Sequence, residues 1–248
     1  MSGVITAVLP CRKGSKRVKN KNTRKFYTYG LGLFQLKLEQ LLKVKSLDKI
    51  FVSTDDETIM SYIESGRNGF AKEVTLEKRP AHLAADDCLE DLIKHLSHAV
   101  ETDVLLWTHV TSPFFTDFHY QQAIDVYREK TEKNLNDSLV SVSPVHTFAL
   151  QGGRWISHDV SVRKWPRKQD VEKILLINGA VYIIDINLMQ STGDRIGENP
   201  CFFELAGLSG FDIDYEEDFK TAEKIAPCLL NEPDANPAYH FGKDGIDG

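Results

Sequence analysis

Val4-Ile-Thr-Ala-Val-Leu-Pro-Cys-Arg-Lys-Gly-Ser-Lys-Arg-Val-Lys-Asn-Lys-Asn22 changes character abruptly at Pro10. Val4 to Leu9 is short, apolar and β-branched, the pattern of a buried strand. The residues that follow are dense in cations. Arg12, Lys13, Lys16, Arg17, Lys19, Lys21, Arg24 and Lys25 are all basic, and the first acidic residue of the chain is Glu39. The whole chain of 248 residues nevertheless carries a formal charge of −6. A compact basic cluster in an acidic protein suits a small, highly charged anion. A surface for long nucleic acid would spread over more of the chain. On charge alone, a solvated basic arm remains an equal alternative.

Placement strengthens the anion reading. In open α/β sheets, ligands bind beyond the carboxyl ends of the strands. Gly14 and Ser15 permit close backbone approach, and successive N–H groups can form an anion nest. Arginine offers phosphate a planar fork and lysine a mobile point charge. The loop contains neither GxxxxGK[ST] nor GxGxxG, so it is not a Walker loop, and dinucleotide binding is disfavoured.

Working outward, Leu31 to Val44 has apolar residues at helical spacing. Ile50 to Ser53 reads as a second strand. Thr54-Asp55-Asp56-Glu57 offers a cap for a helix to about Glu64, so the two aspartates there are read as capping residues. Asp86 or Asp87 starts another helix, to about Val100. Val104 to His109 is strand-like, Thr116 caps a helix from Asp117 to Lys130, and Ser138 to Val142 is a strand. This alternation predicts an α/β fold with a mostly parallel sheet covered by helices on both faces. The pattern breaks after Ser143. A hairpin turning at Gly152-Gly153, then an irregular polar stretch, form an inserted arm at about 143–173. A long strand follows at Ile174 to Ile184, another near Cys201 to Leu208, and a last helix at Tyr215 to Ile225. One domain over 1–226 with a polar tail at 227–248 is expected. Four scattered cysteines suggest neither zinc nor disulfides. The apolar-then-basic start is the reverse of a secretory leader, and no run approaches the ~20 apolar residues of a membrane helix. A cytoplasmic protein without membrane or nucleic-acid partners is expected.

Arg12-Lys-Gly-Ser15-Lys16-Arg17 with Lys21-Asn22 resembles the signature loop of the acylneuraminate cytidylyltransferase (CMP-sialic acid synthetase) family. Val52-Ser-Thr-Asp-Asp56, Arg79-Pro-Ala-His-Leu-Ala-Ala-Asp86, Thr111-Ser-Pro113, Asn178-Gly-Ala-Val-Tyr-Ile183 and Asp212-Ile-Asp214 with Glu217-Asp218 resemble further family motifs, in the family's order. The resemblance runs from about Val4 to Ala226. It implies a Rossmann-like three-layer nucleotidyltransferase fold whose arm takes part in homodimerisation. It also implies transfer of CMP from CTP to the anomeric hydroxyl of a nonulosonic acid such as N-acetylneuraminic acid, with release of pyrophosphate.

The resemblance implies roles for particular residues. Arg12 and Lys21 contact the triphosphate and, with Asp214, carry the chemistry. Gly14, Ser15, Lys16, Asn22 and Asp86 complete the nucleotide pocket. Arg167, Gln169 and Asn178 face the sugar. His109 stands where the family usually has glutamine and is carried as a fourth sugar contact. Asp212 and Asp214, two apart, would share one face of a strand. They are the candidate ligands for Mg²⁺, an ion typically held by one or two carboxylates plus phosphate oxygens. A helix-capping role for that pair is the bland alternative. Glu217 and Asp218 fall in the first turn of the next helix, where acids suit the dipole. The cation common just before the family's NGA motif is replaced by Leu175-Leu176-Ile177, and Cys88-Leu89-Glu90 replaces hydroxyl residues after Asp86. The nucleotide half is therefore better matched than the sugar half. The competing readings are a related transferase acting on another sugar or nucleotide, and a non-catalytic anion- or RNA-binding protein.

Overall fold

A computed structural model describes residues 3–66, 69–85 and 88–230. Asp86 and Asp87, read above as a nucleotide contact and a helix cap, lie outside the described residues. So does the tail from Asn231 onward.

Seven strands form one twisted sheet: β1 (Ile5–Cys11), β2 (Lys49–Thr54), β3 (Glu73–Lys78), β4 (Val104–Thr108), β5 (Ser138–Val145), β8 (Ile174–Asp185) and β9 (Pro200–Glu204). The order is β3-β2-β1-β4-β8-β5-β9. Strands β1 to β4 pair in parallel, as do β5 and β9. Only β8 is reversed, antiparallel to both β4 and β5. The expected α/β layering is thus present, with one strand inverted after the arm.

Alternation along β1 shows why both faces need cover. Ile5, Ala7, Leu9 and Cys11 enter one core, with α1 (Gly32–Lys43), α2 (Glu57–Gly66), α4 (Asp117–Glu132) and α6 (Glu216–Leu229). Val8 enters a second core, with α3 (Leu89–Ala99) and α5 (Ile186–Thr192). A strand buried on both faces reads as a continuous apolar run, which is how Val4–Leu9 announced itself.

Two elements escaped the sequence pattern. Strand β3, Glu-Val-Thr-Leu-Glu-Lys, is an edge strand whose alternation is masked by charges. Helix α5 is only seven residues long and shows too few turns to display a period. The cap of α2 is Asp56, whose Oδ1 accepts from Thr58 N at 2.9 Å. Asp55 instead accepts from Lys13 N, at 2.6 Å. The arm's hairpin, β6 (Leu150–Gln151) and β7 (Arg154–Trp155), turns on Gly152 and Gly153. Both have positive φ, 57° and 80°, the requirement of a tight hairpin turn. Trp155, Trp165 and Phe148 pack edge to face around it, with His158 edge-on to Trp155 and tilted against Phe148.

Candidate active site

The basic loop leaves β1 at Cys11 and is tied down at several points. Gly14 adopts φ 79°, open only to glycine without strain. The Asn22 side-chain amide donates to the Arg12 carbonyl at 3.0 Å, joining the loop's two ends. Phe34 N, in the first turn of α1, donates to the Asn22 carbonyl at 2.9 Å. A Cβ on Gly32 would lie 2.1 Å from the Arg24 carbonyl oxygen, so helix and loop touch backbone to backbone.

The far end of the chain meets this loop. Asp212-Ile-Asp214 is not a strand, as the sequence reading had it. It is an extended segment between a 3-10 turn (Gly207–Gly210) and α6. Its backbone is held beside the end of β4, Ile213 N donating to the Thr111 carbonyl at 2.9 Å. Ile213 is buried in the core, and alternation along an extended backbone turns Asp212 and Asp214 the other way together. Both carboxylates lie in the field of Lys21. Lys21 Nζ donates to the Ile213 carbonyl at 2.8 Å, between the two aspartates. Arg17 pairs with Asp214 at 2.9 Å, and Arg24 pairs with Glu216 at 3.1 Å while its guanidinium lies 3.7 Å above the Phe219 ring centre. Lys13 is engaged by Glu57. Among the described residues at least three of the eight loop cations are thus paired with acids, which narrows the basic face open to a long polyanion. Asp218 accepts from the backbone N–H groups of Asp214 and Tyr215 at 3.0 and 2.7 Å. It caps α6 rather than entering the site.

Burial shapes the charges here. Desolvation pushes the Asp212 carboxyl above its usual range, a hydrogen bond from Thr111 opposes this, and Asp214 reinforces it. Desolvation also lowers the Lys21 ammonium, against the pull of Asp212 and Asp214. Asp212 Oδ1 is buried without a hydrogen-bond partner. A buried carboxylate oxygen lacking a partner is costly, and a bound cation would satisfy it. Two carboxylates on one face, one with an orphaned oxygen, fit the oxygen-ligand chemistry of Mg²⁺ when phosphate and water complete the shell. Among the described residues, no group of three or more His, Cys, Asp or Glu could hold a metal without such outside ligands.

Two adjoining cavities open on the carboxyl ends of β1 and β4. One, of about 150 Å³, is lined by Arg12, Ser15, Lys16, Lys21, Asn22 and Thr111 among others. The second, about 240 Å³ and more apolar, is lined by Arg79, Leu83, Cys88, Leu92 and Trp107. Pro10, Arg12 and His109 border both. Arg79 is fixed by Ser53, donating to its carbonyl at 2.8 Å and its Oγ at 3.3 Å. A polar, cationic chamber continuous with an apolar one can seat a polyphosphate joined to a flat base.

Helix α1 sets the rim. Lys37, fully buried, donates to the carbonyls of Ser112 and Phe115, each at 2.9 Å, and Gln40 donates to the Pro113 carbonyl at 2.9 Å. These bonds fix the turn that carries Thr111, partner of Asp212. Burial without an acidic partner drives the Lys37 pKa well below 10.5. The folded chain then binds fewer protons here than the unfolded chain, so this group adds stability as pH rises towards 10.5 and loses it on acidification. Lys37→Met strands the buried carbonyls of Ser112 and Phe115 and is expected to cost about 1–3 kcal/mol for each in urea unfolding. It should also flatten that pH dependence. An unchanged midpoint and slope against pH would show the clamp to be idle.

The structure brings Arg12, Ser15, Lys16, Lys21, Asn22 and His109 to one cleft, with Asp212 and Asp214 held against Lys21. Gly14 shapes the loop and does not line the cavity. Other sugar-side expectations are not met within one chain. Arg167 is exposed on the arm and forms a two-pronged pair with Asp170 at 2.7 and 2.8 Å, and neither it nor exposed Gln169 lines either of these two cavities. Both ends of the Asn178 amide are engaged in the sheet. Oδ1 accepts from Ser141 Oγ at 2.7 Å and from Ala180 N at 3.2 Å, and Nδ2 donates to Ser143 Oγ at 3.0 Å. The pairing of β5 with β8 is irregular there, and Gly179 takes φ 73°. Asn178 is thus a bulge-forming residue in this chain. The sequence reading missed Arg195, which reaches His109 at 3.2 Å. A single arginine in the polar stretch after α5 carries no pattern that could have flagged it.

A family model described as "Cytidylyltransferase" matches residues 6–151. The chain is 25% identical to the post-translational flagellin modification protein B of Campylobacter coli, over 88% of this chain and 93% of that one. It is 28% identical to the CMP-N,N'-diacetyllegionaminic acid synthase of Legionella pneumophila, over 89% and 95%. It is 26% identical to the N-acylneuraminate cytidylyltransferase of Escherichia coli O18:K1:H7, over 89% of this chain but about half, 52%, of that longer protein. In three dimensions it resembles a CMP:2-keto-3-deoxy-manno-octonic acid synthetase solved with CTP, at TM-score 0.65 and 15% identity, covering 91% of this chain and 99% of that one. That likeness establishes the nucleotidyltransferase fold.

Proposed function

Because the chain belongs to the cytidylyltransferase family, we propose that it transfers CMP from CTP to the anomeric hydroxyl of an acidic nonulosonic sugar and releases pyrophosphate. The observation that carries this reading is the Lys21 hydrogen bond to the Ile213 carbonyl, 2.8 Å long. It binds the phosphate loop to the two-aspartate segment at the mouth of a cationic cleft. The names of relatives matched over most of this chain support a nine-carbon acid as acceptor.

In this reading Arg12, Lys16 and Lys21 hold the triphosphate in the polar chamber. The base enters the apolar chamber between Arg79 and Trp107. Asp212 and Asp214 would hold Mg²⁺, which when bound neutralises phosphate oxygens. Fixed cations where pyrophosphate departs stabilise the charge that develops there, and they need not reorganise as it forms. The chemistry is then mainly positioning and neutralisation. Half-buried, neutral His109 is unsuited to take the acceptor's proton, because desolvation, Arg195, Lys21 and Arg79 depress its pKa to about 3.

Arg167 and Gln169 fit this reading only in a cytoplasmic homodimer, where the arm of one copy reaches the cleft of the other. The exposed apolar residues Leu150, Ile156, Val162 and Trp165 on the arm, with Leu176 and Ile177 on β8, support such a pairing. The test is pyrophosphate release with CTP, Mg²⁺ and a panel of sialic, legionaminic, pseudaminic and octulosonic acids, repeated with UTP. Turnover with CTP and a nine-carbon acid is expected. Turnover with UTP alone, or with no acid, would overturn the assignment. Light scattering on the same sample should give twice 28.1 kDa, and a monomer would remove the arm from the site.

A further inference from the structure

We propose that Arg195 is a positioning residue that, with Trp107, fixes His109 as its Nδ1–H tautomer, making His109 an obligate single hydrogen-bond donor to the acceptor sugar. The donor role rests on the transferase reading above; the tautomer does not.

The tautomer follows from the chemistry of the neighbours. Trp107 Nε1 lies 3.1 Å from His109 Nε2, and Arg195 Nη1 lies 3.2 Å from the same nitrogen. An indole N–H and a guanidinium N–H can only donate. Nε2 must therefore present its lone pair to both, and the single proton of the neutral ring sits on Nδ1. Both chambers of the cleft are bordered by this ring, so Nδ1–H is the hydrogen-bonding group it has left for a ligand. A glutamine side chain there could offer either its oxygen or its nitrogen. This locked ring offers donation alone, which selects an acceptor oxygen such as a carboxylate, hydroxyl or acyl carbonyl.

Arg195 is itself built in. Its Nη2 donates to Tyr182 Oη at 3.3 Å, and its guanidinium lies 3.9 Å from the Tyr182 ring centre and 5.1 Å from that of Trp107. Among the described residues no carboxylate pairs with it within 4.0 Å. Desolvation lowers the Arg195 pKa against the pull of Tyr182 and Asp194, so the charge is held at a net cost that its contacts with the two aromatic faces only offset. Fixing His109 gives it a role that the fold alone does not explain. The charged groups that face His109 are Arg195, Lys21 and Arg79. All three are cations, so they too oppose a second proton on the ring.

The experiment combines nitrogen NMR of His109 with steady-state kinetics. In wild-type enzyme without ligand, long-range ¹H–¹⁵N spectra should show a protonated Nδ1, an unprotonated Nε2, and no titration down to pH 5. In Arg195→Met the ring's pKa should rise while burial still holds it below the ordinary histidine range, and the KM for the acceptor acid should rise at least tenfold while the KM for CTP stays within about twofold. His109→Gln should recover part of the acceptor affinity that His109→Ala loses. A protonated Nε2 in the wild type would overturn the proposal by itself, whether or not the variants fold. Equal changes in both KM values, or none, would reduce Arg195 to a structural residue. Should no acid be turned over at all, the tautomer result still stands, and the failure then belongs to the transferase reading.

Discussion

Lys21→Met is expected to lower kcat/KM for cytidylyl transfer by about two to three orders of magnitude, the effect of removing one preorganised donor at a centre of developing charge. The side chain sits where three demands meet. It borders the polar chamber, hydrogen-bonds the Ile213 carbonyl, and lies in the field of Asp212 and Asp214. Burial already lowers its pKa. Methionine matches its length and removes a desolvated charge. The loss of the bond to Ile213 should therefore cost only about 1 kcal/mol of stability. Urea unfolding and pyrophosphate release read the two effects separately. A variant that unfolds in proportion to its lost activity would mark Lys21 as a strut between loop and α6. A variant retaining near-wild-type kcat/KM would remove it from the chemistry.

Asp212→Asn should separate activity from stability more sharply. The folded site raises the Asp212 pKa above its unfolded value of 3.8. The neutral acid is thus favoured in the fold, and this contribution to stability is lost as pH climbs through the raised value. The carboxylate, once ionised, is a burden when no cation is bound. Asparagine keeps an oxygen for Thr111 and carries no charge. The metal-free variant should be at least as stable as the wild type at pH 7, with a smaller rise in Tm on adding Mg²⁺ and CTP. Its kcat/KM should fall by about two orders of magnitude or more, since a metal ion at such a centre contributes several kcal/mol of charge stabilisation. Exchange of stability for activity is common where a site holds a strained charge. If Asp212→Asn loses stability and keeps its response to Mg²⁺, the carboxylate is a packing partner of Thr111 and the metal lies elsewhere.

Much of the fold was legible because periodicity and burial are local. Val4–Leu9 had to be a strand covered on both faces, since no amphipathic alternation appears in it. The helices at Gly32–Lys43 and Asp117–Glu132 carried enough turns to show a stripe. The same reasoning failed at Glu73–Lys78, an edge strand with charged ends, and at the seven-residue α5. It also misjudged Asp212-Ile-Asp214. Two-residue alternation presumed a strand, whereas the segment is held by one backbone bond to Thr111 rather than by a ladder.

The order of strand, cationic loop and helix, and the two closely spaced carboxylates near the far end, could be read from the residues alone. These are properties of neighbours along the chain. The bridge from Lys21 to Ile213, the pairing of Arg17, Arg24 and Lys13, and the grip of Arg195 on His109 emerge when the chain has folded. Those contacts join residues 40 to 200 positions apart. A hydrogen bond depends on distance and direction in space, and neither is encoded in the spacing of letters until the sheet has closed.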